Sequence, residues 1–122
     1  MLTQEEIEGI KLMYLRNRRD YLKKNLAPPM MGVYDKYILY HIYPGDFLGA
    51  VLKNQLTESF SLADFGNQRK MLDHAQFMYI VIPQITRKQN VSDWLALYPL
   101  APTEEMLSLL RNQESLGQLH GN

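Results

Sequence analysis

"HIYPGDFLGAVLKNQL", residues 41–56, is the stretch whose reading decides the fold. Tyr43-Pro44-Gly45-Asp46 carries Pro at the second and Gly at the third position of a turn, the type II preference, because Pro presets negative φ and Gly accepts positive φ. The chain is expected to reverse there. Asp46 then becomes the N-cap of a helix carrying Phe47, Leu48, Val51, Leu52 and Leu56. Gly49 and Ala50 are small enough to let another helix approach closely. Asn54 and Gln55 fall inside this apolar helix, Asn54 near Val51 and Glu58, Gln55 on the side of Leu48 and Leu52. An amide near a core must be satisfied. The preferred reading is a hydrogen bond to a neighbouring helix or loop, and the functional one is contact with a ligand or subunit.

Upstream, the span from about Met30 to Ile42 reads as a helix with little polar surface. At about 100° per residue only Asp35 and Lys36, beside Gly32, form a polar arc. Met30, Met31, Val33, Tyr34, Tyr37, Ile38, Tyr40 and Ile42 surround the rest, so the helix is either central or shared with a partner. The partner reading is preferred, and it places Tyr34, Tyr37, Tyr40, His41, Tyr43, Asn54 and Gln55 in a partner or ligand interface. His41 shares a face with Tyr34 and Ile38 and is read as a hydrogen-bonded semi-core residue, not a base. Before this helix, Thr3 and Glu6 form a capping box flanked by Leu2 and Ile7 as a hydrophobic staple. Ile7, Ile10, Tyr14 and Tyr21 then carry a first helix to about Asn25. Pro28 and Pro29 end the connection, with Pro29 suited to a first helical turn.

Downstream, the helical pattern fades near Ser59 to Ser61, and Asp64 offers a fresh cap with Asn67 three residues on. A further helix follows, with Met71, Leu72, Ala75, Met78, Tyr79 and Ile82 on one face. Asn67, Lys70, Asp73 and His74 fall on the other, so His74 is expected to face water. "FMYIVI" reads as the end of this helix and not as a strand, because the period enters it unbroken and Pro83 supplies the stop. After the polar connection "PQITRKQN", Asn90 or Ser92 caps a short helix with Trp94, Leu95 and Tyr98, ended by Pro99. Pro102-Thr103-Glu104-Glu105 opens a last helix through Met106, Leu107, Leu109 and Leu110, with Gly117 as its stop. The sum is an all-α compact bundle of about five to six helices, a single domain over 1–117 with a flexible tail at 118–122.

Composition narrows the function classes. Thirteen basic and 13 acidic residues cancel, so no global field favours nucleic acid or a membrane surface. The chain has no cysteine, which removes thiol nucleophiles and zinc knuckles and suits a reducing compartment. His41, His74 and His120 have no metal-ligand spacing, and neither metal nor cofactor is expected. The acidic start lacks a secretory pattern, and the longest apolar run is far short of the roughly 20 residues that span a bilayer. The reading is of a soluble, cytoplasmic protein without a membrane partner. No glycine-rich phosphate loop, nucleophile elbow or His-Glu-x-x-His motif occurs. Asp46, Glu58 and Asp64 leave an acid/base pair open, but two of the three already have capping roles, so a binder is favoured over an enzyme. Arg16, Arg18, Arg19, Lys23 and Lys24 form the strongest charge cluster. The preferred reading is a solvated face that complements the helix macrodipole, and the alternative is phosphate or nucleic-acid contact.

The positions Pro44, Gly45, Phe47, Leu48, Ala50, Val51, Leu52, Asn54 and Leu56, followed by Ala63, Asp64 and Asn67, resemble the pattern of a group of small proteins common in phage and prophage genomes. That pattern is similar to Ile-x-Pro-Gly-x-Phe-Leu-x-Ala-Val-Leu-x-Asn-x-Leu and then Ala-Asp-x-x-Asn, and the likeness covers residues 28 to 83. This chain departs from it at Gln55, where members carry an acid, and at Tyr43, near a usual Gly. The resemblance implies a phage context and a host-cell cytoplasm, but no mechanism. The expected function is a non-enzymatic accessory protein, a small homo-oligomer that occupies a host protein or sequesters a small ligand, with antagonism of host defence as one specific form. Nucleic-acid association through the basic end of the first helix is the alternative.

Overall fold

A computed structural model describes residues 2–24, 30–97 and 100–114. Among them the chain forms α1 (Gln4–Lys24), α2 (Met31–Tyr40), α3 (Asp46–Leu52), α4 (Leu56–Leu62), α5 (Phe65–Arg69), α6 (Met71–Ile80), α7 (Val91–Ala96) and α8 (Glu104–Asn112). Two 3₁₀ turns, Gln84–Thr86 and Lys88–Asn90, lie between α6 and α7. The all-α class holds, and the helices are more numerous than expected because two predicted helices are each broken once. The expectations on Pro28, Pro29, Tyr98, Pro99, Gly117, His120 and the 118–122 tail fall outside the described residues.

The starts of α1, α5 and α8 follow from side-chain caps. Thr3 Oγ1 accepts from the Glu6 amide at 3.1 Å and the Glu6 carboxylate accepts from the Thr3 amide at 3.0 Å, a complete capping box. Asp64 caps α5 by accepting from the Asn67 amide at 2.7 Å, and Thr103 caps α8 by accepting from the Met106 amide at 3.3 Å. The Pro44-Gly45 step differs from expectation. Gly45 takes φ 92° and ψ 170°, a glycine-only extended conformation and not the type II corner. Gly45 is itself the N-cap, and Asp46, the first helical residue, receives the Tyr43 hydroxyl at 3.2 Å. The close approach predicted at Gly49 is made by the Tyr43 ring and not by a helix: a Cβ on Gly49 would lie 2.8 Å from the Tyr43 hydroxyl.

α2 is the central helix. Tyr34, Tyr37, Ile38 and Leu39 are all buried, which corrects the placement of Tyr34 and Tyr37 on an interface. Each ring is held inside by a partner for its hydroxyl. Tyr34 meets His74 of α6, and Tyr37 donates to the Thr86 carbonyl at 2.6 Å. Between them Asp35 accepts from the Tyr14 hydroxyl and from Arg18 Nε at 2.9 Å and Nη2 at 3.1 Å, joining α2 to α1. Gln113 extends that network, accepting from Arg18 Nη1 at 2.7 Å and donating to the Leu15 carbonyl at 2.9 Å, so α8 is tied to α1. Around Phe77 of α6 stand Tyr14, Tyr21 and Tyr34, with ring centroids at 6.5, 5.4 and 4.9 Å. This aromatic cage is the middle of a core that also takes in Leu15, Leu48, Leu52, Trp94 and Met106.

Two breaks reshape the region after α3. The predicted helix from Phe47 through Leu56 stops at Leu52, because Asn54 adopts φ 62°, a left-handed conformation that Asn tolerates better than most residues. Asn54 and Gln55 are therefore exposed in the link to α4, and the expectation of amides buried in an apolar helix is corrected. Lys70, at φ −109° and ψ 16°, separates α5 from α6 and resets the rotation of the second segment. His74, Phe77 and Met78 turn inward, and Leu72, Ala75 and Tyr79 turn outward, which reverses the expected placement of His74 and corrects that of Leu72, Ala75 and Tyr79.

Candidate functional site

The rotation of α6 builds a groove. α3 and α4 form one wall and α6 the other, enclosing about 530 Å³. Val51, Leu52, Met71 and Met78 supply apolar surface, and Phe60, Leu72, Ala75 and Tyr79 stand along its margin. Tyr79 is 82% exposed and Leu72 70%, large apolar surfaces left in water. Asn54 and Gln55 line the groove as well, and so do Arg87 and Lys88 from the turns that follow α6.

Beneath the apolar lining sits His74, fully buried. The Tyr34 hydroxyl donates to Nδ1 at 2.7 Å, and Nε2–H donates to Asn67 Oδ1 at 3.2 Å, a mutually consistent neutral tautomer. Phe47 packs edge-on against the imidazole with centroids 5.2 Å apart. Burial pushes the His74 pKa below its ordinary value, with Asp73 opposing in part. Both ring nitrogens are thus engaged by the protein itself. This imidazole supports the groove wall and has no free nitrogen to offer a bound molecule.

Arg87 is the opposite case. The residue is only 8% exposed, yet its Nε has no hydrogen-bond partner among the described residues. The four ion pairs among the described residues involve Arg18, Arg19, Lys70 and Arg111, and Arg87 takes part in none. Its guanidinium lies over the Tyr79 ring, 5.6 Å from the centroid. The backbone under it is fixed locally. The Thr86 amide and hydroxyl both bond the Pro83 carbonyl, at 3.0 and 2.7 Å, and the Arg87 amide bonds the Gln84 carbonyl at 3.2 Å. Lys88, next in the chain, has φ 57°. A guanidinium held at an apolar groove with no carboxylate among the described lining residues is the strongest electrostatic feature of the site.

The other sequence-predicted residues scatter. Tyr34 and Tyr37 are in the core. Tyr40 and Tyr43 are about half exposed beside Ile42 at the α2–α3 link. His41 ends α2 in a left-handed conformation at φ 58°, stacks on Trp94 with centroids 4.6 Å apart, and donates Nδ1–H to the Trp94 carbonyl at 2.9 Å. Burial lowers its pKa also. Asn54 and Gln55 are the members of the predicted set that line the groove. Of the basic cluster, Arg18 is consumed by Asp35 and Gln113, and Arg19 pairs with Asp20 at 3.3 Å, while Arg16, Lys23 and Lys24 remain exposed.

Sequence reasoning passed over Arg87, Lys88 and the buried Lys11. Lys11 donates to the Leu39 carbonyl at 2.8 Å and the Leu100 carbonyl at 3.1 Å, and burial pulls its pKa down to about 8. A signal for Lys11 existed, since Ile7, Lys11, Tyr14 and Arg18 share one helical stripe. For Arg87 there was none, because the turns that bury it lie in a segment with no period.

Among the described residues no group of His, Cys, Asp and Glu stands together as a metal site, and no helix is long and apolar enough to cross a membrane. No family model, curated protein or solved structure matches this chain. What fold and geometry define is an all-α domain with an apolar groove that has a cationic side.

Proposed function

We propose that this protein is a non-enzymatic binder that sequesters a small ligand in the groove between α4 and α6. The observation that carries the reading is the pairing of an apolar lining with exposed Leu72 and Tyr79 at its margin. A volume of about 530 Å³ falls in the range of small-molecule pockets. The hydrogen bonds of His74 support binding over proton transfer, because they hold the imidazole neutral and directed at Tyr34 and Asn67. The phage resemblance implies a context and no mechanism; in that context the reading is an accessory protein in the host cytoplasm that withholds a ligand, with antagonism of host defence as one specific form. Tyr40, Ile42 and Tyr43 are the tyrosine-rich surface left for self-association into a small homo-oligomer.

The test is an uncharged fluorescent probe, N-phenyl-1-naphthylamine, whose emission rises in apolar surroundings. Wild type is expected to bind it, and Ala75→Trp, an exposed position on the groove, is expected to abolish binding while leaving the melt unchanged. No binding by wild type, or equal binding by the Trp variant, overturns the groove as the site.

A further inference from the structure

The groove lining includes two basic residues, Arg87 and Lys88, and no acidic one. Arg87 is buried beyond nine-tenths, and among the described residues its Nε has no hydrogen-bond partner and it forms none of the ion pairs. Burying a guanidinium in largely apolar surroundings without a carboxylate is costly, and an anion arriving from solution removes that cost. With Nε shut away, its terminal N–H groups are those placed to meet an oxygen acid, and a guanidinium fork matches the two oxygens of a carboxylate. One buried cation, with Lys88 exposed beside it, matches a single negative charge better than a doubly charged head. The remaining lining is aliphatic, thioether and aromatic, which suits a hydrocarbon body.

We infer that the groove binds an amphiphilic monocarboxylate, its apolar chain between α4 and α6 and its carboxylate on Arg87. This deepens the groove reading above and rests on it. Arg87 thereby acquires the anionic partner it lacks among the described residues. Lys88 adds long-range attraction that salt screens, whereas the contact with Arg87, out of water, is screened much less. A free carboxylate is favoured over an acidic peptide because the groove has the volume of a small-molecule site.

The experiment compares dodecanoate, below its micellar concentration, with dodecanol on wild type, Arg87→Met and Lys88→Gln, by calorimetry or by the fluorescence of Trp94 and the tyrosines. Wild type is expected to prefer dodecanoate by about tenfold or more, the scale of a charge-assisted hydrogen-bonded pair. Arg87→Met should lose that preference and still take dodecanol, which also reports that the variant is folded. Lys88→Gln should keep most of the preference. Equal affinity of wild type for the two molecules leaves the groove reading standing and overturns the carboxylate inference. Failure of both molecules to bind overturns both. Retention of the preference in Arg87→Met removes Arg87 from the role, and binding of an acidic amphipathic peptide without dodecanoate removes the ligand class. Should Arg87→Met fail to fold, the wild-type comparison and Arg87→Lys, which keeps the charge but loses the fork, still decide.

Discussion

Gly45 holds φ 92° and ψ 170°, a backbone conformation that side chains other than glycine rarely enter, and a Cβ there would meet nothing within 4 Å. The cost of an alanine there is therefore backbone strain alone. Gly45→Ala is expected to destabilise by about 1–3 kcal/mol, read as a lower denaturant midpoint at unchanged slope. An unchanged midpoint removes the argument that this residue sets the entry of α3. His41, at φ 58°, occupies another left-handed position, and its stacking on Trp94 is a gain that a glycine would forfeit. Lys11 shows that a charged residue on a core stripe is no contradiction when two carbonyls receive its ammonium. Leu39, one of those acceptors, belongs to the last turn of α2, where a cation also meets the negative end of the helix dipole.

At the scale of elements, α6 carries the largest difference between pattern and packing. Counting apolar residues turns Leu72, Ala75 and Tyr79 inward beside Met78, yet the helix buries Met78 together with His74 and Phe77. Three physical facts favour the observed rotation. His74 is fully satisfied by Tyr34 and Asn67, so its burial leaves no polar group orphaned. Phe77 fills the space between Tyr14, Tyr21 and Tyr34, where edge and tilted ring contacts add to area burial. Tyr79 loses little by staying wet, because its ring carries Arg87 on one face and its hydroxyl reaches water. Phe77→Ala is accordingly expected to cost about 3–5 kcal/mol. Tyr79→Ser is expected to cost no more than about 1 kcal/mol, the scale of an exposed ring's contact with Arg87. Comparable losses for the two in chemical denaturation reject this rotation of α6. The same logic makes α2 central, since its tyrosines are apolar rings whose hydroxyls find partners on α6 and in the 3₁₀ turns.

For the whole molecule, titration links burial to stability. Burial lowers the pKa of His74 and His41 in the fold, so between about pH 6.5 and their folded values the unfolded chain binds more protons. Their stabilising contribution is present above about pH 6.5 and is lost as pH falls through the folded values. Asp35 acts in the other direction nearer pH 4. Burial raises its carboxyl against the pull of Arg18 and Tyr14, so the fold takes up that proton first and offsets part of the acid loss. The melting temperature is expected to begin falling below about pH 6.5, and His74→Gln should flatten that limb. A limb that starts only in the carboxylate range, or one untouched by His74→Gln, refutes a neutral His74 in the core. By itself the sequence determined the all-α class, the caps at Thr3 and Asp64, the opening of the last helix around Thr103, and the positive φ of Gly45, because each rests on residues within a few positions of one another. It also marked Asn54 and Gln55 as unusual, though for a burial they do not have. Tertiary structure alone decided the centrality of α2, the rotation of α6 and the burial of Arg87. Those depend on which hydroxyl, amide or ring is within reach from a distant part of the chain. Tyr34 finds His74, and Tyr37 finds the turn that positions Arg87, through contacts that local periodicity does not encode.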